Sequence, residues 1–377
     1  MPLPLSADLA ARHVRVRRAM DVLSLDALIV TAPANIRYLT NHTGTAGIAV
    51  VTAEAIHLLI DFRYEEAVRE LQGSTAACPT LNPWRVTASY DEALLQCLIA
   101  IGVTAVGFEA GHLTVARHDW LVRSAGSRAQ GLRFRATERV VEELRLVKDA
   151  GEIAALRESA RRLGPVADAA FRHARAGMAE RAVAAAIEAA MRESGYERPA
   201  FDTIVASGPN AALPHYRAGD RILQAGDVVV LDFGGVLDGY CCDLTRTISV
   251  GSPSTEGLRV HAAVLAAQQA AIAAVGPGVA ATSVDAAARA VLDSHGLGAA
   301  FGHGTGHGLG LDVHEEPRLT RPQPEVPSRL LEPGMVFTVE PGAYLPGWGG
   351  VRIEDDVLVT DRGFEVLTSV PYDLTFH

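Results

Sequence analysis

Cysteine is scarce in this chain: Cys78, Cys97, Cys241 and Cys242 are the four thiols among 377 residues. So sparse a set fits a reducing cytoplasm. The adjacent Cys241 and Cys242 read as a packed strand pair whose side chains point to opposite faces, not as a metal or redox site. No run reaches the roughly twenty consecutive apolar residues of a membrane-spanning helix. The N-terminal stretch MPLPLSADLAARHVRVRRAM mixes Pro, Asp and Arg and lacks the apolar core of a signal peptide. Positive charge is in deficit, with 34 Lys+Arg against 44 Asp+Glu and a net charge of −10. That balance argues against nucleic acid as a partner but leaves peptides open, because their own charges vary. The expectation is a cytoplasmic protein with neither a nucleic-acid nor a membrane partner.

With 49% hydrophobic residues over 377 positions, the chain is globular and long enough for two domains. In its first part the short apolar runs DALIVTA, GIAVVTA, AIHLLID and AVGFEA read as strands. Helical spacing over 7–23, 64–71 and 90–101 intervenes, so strands and helices alternate as in an α/β domain. Around 136–153 the texture changes to the charged stretch ATERVVEELRLVKDAGEI, and the domain boundary is placed near residue 140, giving domains 1–140 and 141–377. The second domain opens with Ala-rich helices over 150–177 and 179–195 and continues with strands around VVVLDFGG and YCCDLTRTISVG. Helices over 256–275 and 283–295 follow, the former including the Ala-rich stretch His261–Val275, which reads as a buried amphipathic helix. A Gly- and His-rich segment and the strands GMVFTVEPGAY and VRIEDDVLVT complete the chain. Helices then strands occur twice, so this α+β domain has the layout of two similar halves around a pseudo-twofold, without a repeat at the level of identity.

Each strand set carries two carboxylates: Asp232 and Asp243, then Glu340 and Glu354, with His307 between the pairs. Strand alternation groups Asp243 with Thr245 and Thr247, Glu340 with Thr338, and Glu354 with Arg352 and Asp356, while Asp232 ends the apolar face of Val228 and Val230. A lone strand carboxylate is ordinarily a solvated surface group. Four of them interrupting apolar patterns around a histidine-rich loop form an anionic, oxygen-rich donor set that suits two divalent cations better than one structural zinc. The loop FGHGTGHGLGLDVHEEP holds His303, His307 and His314, and its glycines let the backbone approach a metal or substrate closely. Zinc held by all three histidines is the rival reading, but it has no nearby Cys and leaves the carboxylates unused. His307 is therefore assigned to a metal, and His303 and His314 to its surroundings or the substrate. His215, in LPHYR, is a weak signal alone.

At these residues the sequence resembles the pita-bread metallopeptidases, the family of methionine aminopeptidase, aminopeptidase P and prolidase. The stretches that carry the resemblance are LPHYR, LDFGGVLDGYCCDLTRT, FGHGTGHGLGLDVHEEP, TVEPGAY and GVRIEDD, spread over nearly all of 145–377. The segments DALIVTAPANIRYLTNHTGTAG and LLIDFRYEEA resemble the creatinase-type domain that precedes the catalytic domain in aminopeptidase P and prolidase, which counts against a methionine aminopeptidase. Creatinases lack the full metal set, so five intact ligands count against them too. The resemblance implies a creatinase-like α/β domain followed by a pita-bread catalytic domain with two divalent metal ions, Mn, Co or Zn. Asp232 would chelate one ion, Asp243 and Glu354 would bridge both, and His307 and Glu340 would complete the second. Glu340 would also serve as general base or acid. His215 and His314 would donate hydrogen bonds to the scissile carbonyl. Arg352 would pin a carboxylate or reach the substrate, Tyr344 would contact the substrate or a ligand, and His303 would be a pocket residue. A homodimer is also implied.

The branch with this layout cleaves the bond before proline, in peptides with proline in second position. A dipeptidase must recognise the proline carboxylate, for which a fixed Arg is the natural tool. The segment NIRYLTNHTGTAGIAV, read as the loop between the first two strands, has no Arg or Lys after Arg37. The expectation is therefore an Xaa-Pro aminopeptidase, with an Xaa-Pro dipeptidase as the alternative and Arg37, Arg217 or Arg318 as its candidate cation. A non-catalytic binding protein on the same fold would be expected to have lost ligands, and none of the five is lost.

Overall fold

The computed structural model describes residues 4–324 and 327–375. The chain forms two compact units, Met1–Arg145 and Leu146–His377. No helix of the described residues is long and apolar enough to cross a membrane.

The first unit runs α1 (Ser6–Val22), β1 (Ala27–Val30), α2 (Pro33–Thr40), β2 (Ile48–Thr52), β3 (Ile56–Ile60), α3 (Glu65–Gln72), β4 (Leu81–Arg85), α4 (Tyr90–Ile101), β5 (Ala105–Glu109), α5 (Val115–Arg128), β6 (Arg133–Thr137) and α6 (Val140–Arg145). Its sheet has the order β4-β3-β2-β1-β5-β6, with β1, β5 and β6 parallel and β1, β2 and β3 antiparallel. Every residue of β1 is buried, as expected of a central strand covered on both faces. Ile29, Val50 and Leu59 pack with Leu94 and Leu98 of α4 and Leu121 of α5. Asn35–Thr40, expected in a loop, lies instead within α2. Pro33 suits the first turn, where its missing N–H is no loss, and Asn41 at φ 60° ends the helix in the left-handed region. The start of α2 is also held from outside: Glu109 Oε2 accepts from the Thr31 and Ala32 amides at 2.6 and 2.8 Å. A carboxylate there complements the helix dipole.

The second unit repeats a pair of helices followed by strands. The first set is α7 (Ala150–His173), α8 (Glu180–Glu193), β7 (Arg198–Pro199), β8 (Ile204–Ser207), β9 (Val228–Phe233), β10 (Gly235–Leu237), β11 (Tyr240–Cys241) and β12 (Leu244–Ser249). The second is α9 (Thr255–Ala273), α10 (Ala281–Ser294), β13 (Gly306–Gly308), β14 (Glu315–Leu319), β15 (Val336–Val339), β16 (Gly342–Leu345), β17 (Gly349–Arg352), β18 (Asp355–Thr360) and β19 (Gly363–Val366). Two of its sheets have the orders β12-β9-β8 and β14-β13-β15-β18-β19. Each uses one face for its helices. Val229, Leu231 and Phe233 pack with Leu163 and Val166 of α7 and Val183 and Ile187 of α8. Phe337, Val339, Val357 and Val359 pack with Val260 and Val264 of α9 and Val284 and Leu292 of α10. The period-two alternation then turns Asp232, Thr245 and Thr338 to the other faces.

Three expected strands are interrupted. YCCDLTRTISVG breaks between Cys241 and Leu244, GMVFTVEPGAY between Val339 and Gly342, and VRIEDDVLVT between Arg352 and Asp355. The strands on either side of each break belong to different sheets. The Arg352–Glu354–Asp356 alternation is therefore not that of one strand, because the chain changes sheets at Ile353–Glu354. All four cysteines are free and buried.

The tail after β19 is tied down by a buried ion pair. Asp355 accepts from Arg246 at 2.8 Å, Thr368 at 2.6 Å, Gln268 at 2.6 Å and Tyr372 at 2.9 Å. Arg157 and Glu365 form the contrasting surface pair, with side chains 50% and 39% exposed. Removing one partner of a buried pair strands the other charge, whereas water screens a surface pair. Arg246→Ala should lower unfolding free energy by about 3–5 kcal/mol and Arg157→Ala by under about 1 kcal/mol, read from urea midpoints.

Candidate metal centre and substrate cavity

The sheet breaks are where the acids gather. Asp232 is near the end of β9, Asp243 immediately precedes β12, Glu340 immediately follows β15, and Glu354 occupies the break before β18. His307 is the middle residue of β13, flanked by glycines for a steric reason. A Cβ on Gly306 would lie 1.8 Å from the Thr338 carbonyl oxygen, and one on Gly308 would lie 1.9 Å from that of Glu316. The backbone of β13 is thus wedged between its neighbours, and His307 alone projects from it.

These five side chains line one cavity of about 520 Å³, together with His215, His303, His314 and Arg352. One ligand atom each from Asp243, His307 and Glu354 lie within 4.8 Å of one another. His307 Nε2 is 3.5 Å from Glu340 Oε1. His307 Nδ1 donates to the Gly308 carbonyl at 3.0 Å, which leaves the Nε2 lone pair facing the acids. Burial pushes this imidazole down to about 4, so it is neutral and able to ligate.

The acids themselves are crowded. Burial, then the charge of Glu354, holds Asp243 well above the usual carboxylate range; burial, then Glu340, does the same to Glu354. Burial pushes Glu340 up to about 8. Oδ1 of Asp232 and Oδ1 of Asp243 are buried without a hydrogen-bond partner among the described residues. Orphaned oxygens on mutually repelling carboxylates are what a divalent cation satisfies, and hard oxygen donors with one imidazole suit it chemically. The residues fit the group.

Backbone and side-chain bonds fix the ligands. The Asp243 amide donates to Asp356 Oδ2 at 3.1 Å, and Thr245 Oγ1 donates to Glu354 Oε2 at 2.5 Å. Arg352, 3% exposed, donates from Nη2 to Asp232 at 2.5 Å, from Nη1 to Tyr344 at 2.8 Å and to the Pro214 carbonyl at 3.4 Å, and from Nε to Thr245 at 3.2 Å. Its donors are engaged within the protein, so it pins Asp232. The same chain of bonds orders the next protons. His303 Nδ1 donates to the Gly304 carbonyl at 2.7 Å, so its Nε2 accepts from the Tyr344 hydroxyl at 2.9 Å. Tyr344 stands behind the cavity wall and is not among its lining residues. His303 lines the cavity with both ring nitrogens already used, since the bonds to Gly304 and Tyr344 take them.

His215 and His314 are exposed at the cavity, and the His314 ring lies 4.4 Å from that of His307 in an edge-on contact. Glu315, next to His314, pairs with Lys148 at 3.3 Å and accepts from the Asp312 amide at 3.0 Å, which holds the turn between them. Phe201, Ile204, Pro214 and Tyr216 add an apolar wall, and Arg217 and Arg318 add cations. Nothing local in the sequence marks Phe201 or Ile204; Tyr216 and Pro214 lay within LPHYR but were outshone by the histidine.

An acidic, glycine-floored cavity at the breaks between two helix-backed sheets defines a metal-dependent hydrolase. The comparisons agree: residues 154–361 match Metallopeptidase family M24 and residues 12–147 match the Creatinase/Prolidase N-terminal domain. The chain belongs to family M24, as a two-domain member with a pita-bread catalytic domain. It is 38% identical over 365 residues to an uncharacterized peptidase of Bacillus subtilis, covering 96% of this chain and 98% of that one. Among solved structures, the Xaa-Pro dipeptidase from Bacillus anthracis superposes with a TM-score of 0.87 at 37% identity, over 97% of this chain and 99% of that one. The X-Pro aminopeptidase from Thermotoga maritima gives 0.82 at 33% identity, over 94% and 99%.

The crowding has a thermodynamic signature. Without metal, folded Glu340 holds its proton up to about 8, whereas the unfolded chain releases it near the ordinary value of about 4.3. Stability is therefore lost as pH rises between those values. Metal-stripped protein should melt lower at pH 8 than at pH 6. Saturating Mn²⁺ should raise the melting temperature at pH 8, by the equivalent of about 2.7 kcal/mol at a hundredfold excess over Kd.

Proposed function

We propose that this metallopeptidase hydrolyses the bond preceding proline, using two divalent cations, Mn, Co or Zn, held by Asp232, Asp243, His307, Glu340 and Glu354. The observation that carries this reading is that one cavity joins those five side chains to the apolar wall of Phe201, Ile204 and Pro214. A proline ring has no N–H to bind and is recognised by such a wall. The two solved relatives described above are both named for Xaa-Pro bonds.

In this reading Asp243 and Glu354 would be shared between the two cations, and Asp232, His307 and Glu340 would complete the set that holds them. Bound there, the cations would supply a water deprotonated near neutrality and positive charge against the scissile carbonyl. Glu340 takes the proton and delivers it to the proline nitrogen, which leaves only once protonated. His215 and His314 donate to the carbonyl oxygen as it gains charge. Arg352 keeps Asp232 oriented through the hydrogen bond between them.

The length of the substrate turns on a cation. Arg318 lines the same cavity, its charge acts on Glu340, and its guanidinium makes no hydrogen bond or ion pair among the described residues. Arg217, 89% exposed, lies 3.7 Å from Asp202. A guanidinium without a hydrogen bond or ion pair is suited to the carboxylate of a C-terminal proline. We therefore favour Xaa-Pro dipeptides over the longer peptides expected from the sequence. The aminopeptidase reading keeps the support of residues 38–51, which contain no Arg or Lys.

Three measurements test this. Xaa-Pro and Xaa-Pro-Yaa compared under identical conditions should differ about tenfold in kcat/KM in favour of the dipeptide, a gap of about 1.4 kcal/mol; equal or better turnover of the tripeptide overturns the dipeptidase reading. Arg318→Ala should erase the preference by raising KM for the dipeptide. Glu340→Gln should lower kcat by about 10²–10⁴-fold with the fold intact, and turnover retained in that variant removes Glu340 from its role. A protein that binds no divalent metal and cleaves neither peptide is a binding module, not a peptidase.

A further inference from the structure

We propose that Glu180, which lies outside the cavity, is a positioning residue that sets the loop presenting His215 to the substrate. The proposal rests on the proline-peptidase reading for the role of His215, and on geometry for the rest. Glu180 opens α8 and is 0% exposed. Its Oε1 accepts from the Ser207 amide at 2.8 Å, the Ser207 hydroxyl at 2.6 Å and Asn210 Nδ2 at 3.0 Å. Its Oε2 accepts from the Gly219 amide at 3.3 Å, and the Tyr216 hydroxyl also bonds to this carboxylate. Every donor belongs to the single stretch Ser207–Gly219, which carries His215 at the cavity.

His215 has no anchor of its own. Among the described residues its ring makes no hydrogen bond, so its aim follows from the loop backbone. Besides its own turns and the Arg181 amide on the Gly219 carbonyl at 3.0 Å, side chains tether that backbone from two sides. From the metal side Arg352 Nη1 reaches the Pro214 carbonyl at 3.4 Å, a long bond. From beneath, Glu180 gathers both ends of the loop and, through Tyr216, the residue next to His215. Arg221 reinforces the lower tether, donating to Ser207 Oγ at 2.6 Å while paired with Asp227 at 2.6 Å. Gly208 fits here because its φ is +51° and a Cβ would lie 2.6 Å from both Arg221 Nη2 and Asp227 Oδ1.

The chemistry makes the site sensitive to an isosteric change. All the partners of Glu180 are donors, so the side chain serves as acceptor only. A glutamine of the same shape would turn an NH₂ group toward donors and leave them unsatisfied. The loop would loosen while the metal ligands, none of which touches Glu180, stay in place.

The test is a double-mutant cycle with hydrogen exchange on the full chain loaded with Mn²⁺. Glu180→Gln should raise amide exchange across 208–219 and lower kcat on Xaa-Pro about tenfold or more, as expected for a misplaced contact, with bound metal unchanged. In a His215→Ala background the same substitution should cost less than about twofold, because coupled residues are not additive. Losses that multiply across the cycle overturn the proposal, as does unchanged exchange at 208–219. Asn210→Ala removes a single donor and gives the same readouts at smaller size should Glu180→Gln fail to fold. A wild-type protein that leaves Xaa-Pro intact defeats the proline-peptidase reading, and the exchange measurement still decides whether Glu180 holds the loop.

Discussion

Four carboxylates in one buried cavity repel one another, and much of the second unit exists to hold them there. Asp232, Glu354 and Glu340 are each partly satisfied by a side-chain donor: Arg352, the Thr245 hydroxyl and the Thr338 hydroxyl respectively. These contacts leave orphaned oxygens and raised proton affinities rather than a relaxed cluster. Such frustration is what a cation site needs, since a pocket content without metal would gain little by binding it. The helix-packed faces of the two sheets supply the opposing stability, burying Val, Leu and Phe at alternate positions while Asp232 takes the other face and the remaining acids sit at the strand ends.

Legibility in the sequence followed periodicity. The acids, His307 and the two-halved layout could be read because each ligand interrupts an apolar pattern within a few residues of sequence. What could not be read was sheet membership. Arg352, Glu354 and Asp356 look like one alternating strand, yet the chain passes from β17 to β18 at Glu354 and changes sheet. The alternation still named residues near the site, but for the wrong reason in that segment. Likewise α2 was hidden in Asn35–Thr40, because its stabilising partner, Glu109, is contributed by a strand some seventy residues later. Arg318 was visible as a cation without a place. Its position on the cavity follows from the pairing of β13 with β14, which nothing local in that glycine-rich segment encodes.

The wall of the cavity follows a division of labour. Groups with a firm internal partner, such as Arg352, Tyr344 and His303, form a hydrogen-bonded backing whose proton positions are determined. His215, His314 and Arg318 stand in front of it, exposed and with their polar atoms available. Rigidity and available polar atoms are thus carried by different residues.

The buried pair of Lys148 and Glu315 has a consequence for the outside of the molecule. Lys148 is the single lysine among 34 basic residues, and its side chain is 1% exposed. Solvent therefore meets no side-chain amine on this protein: the positive half of its surface is guanidinium, which stays protonated throughout any working pH range. Acylation, reductive methylation and amine-directed cross-linking have no surface lysine to modify. Reaction at Lys148 would instead report that the turn beside His314 had opened.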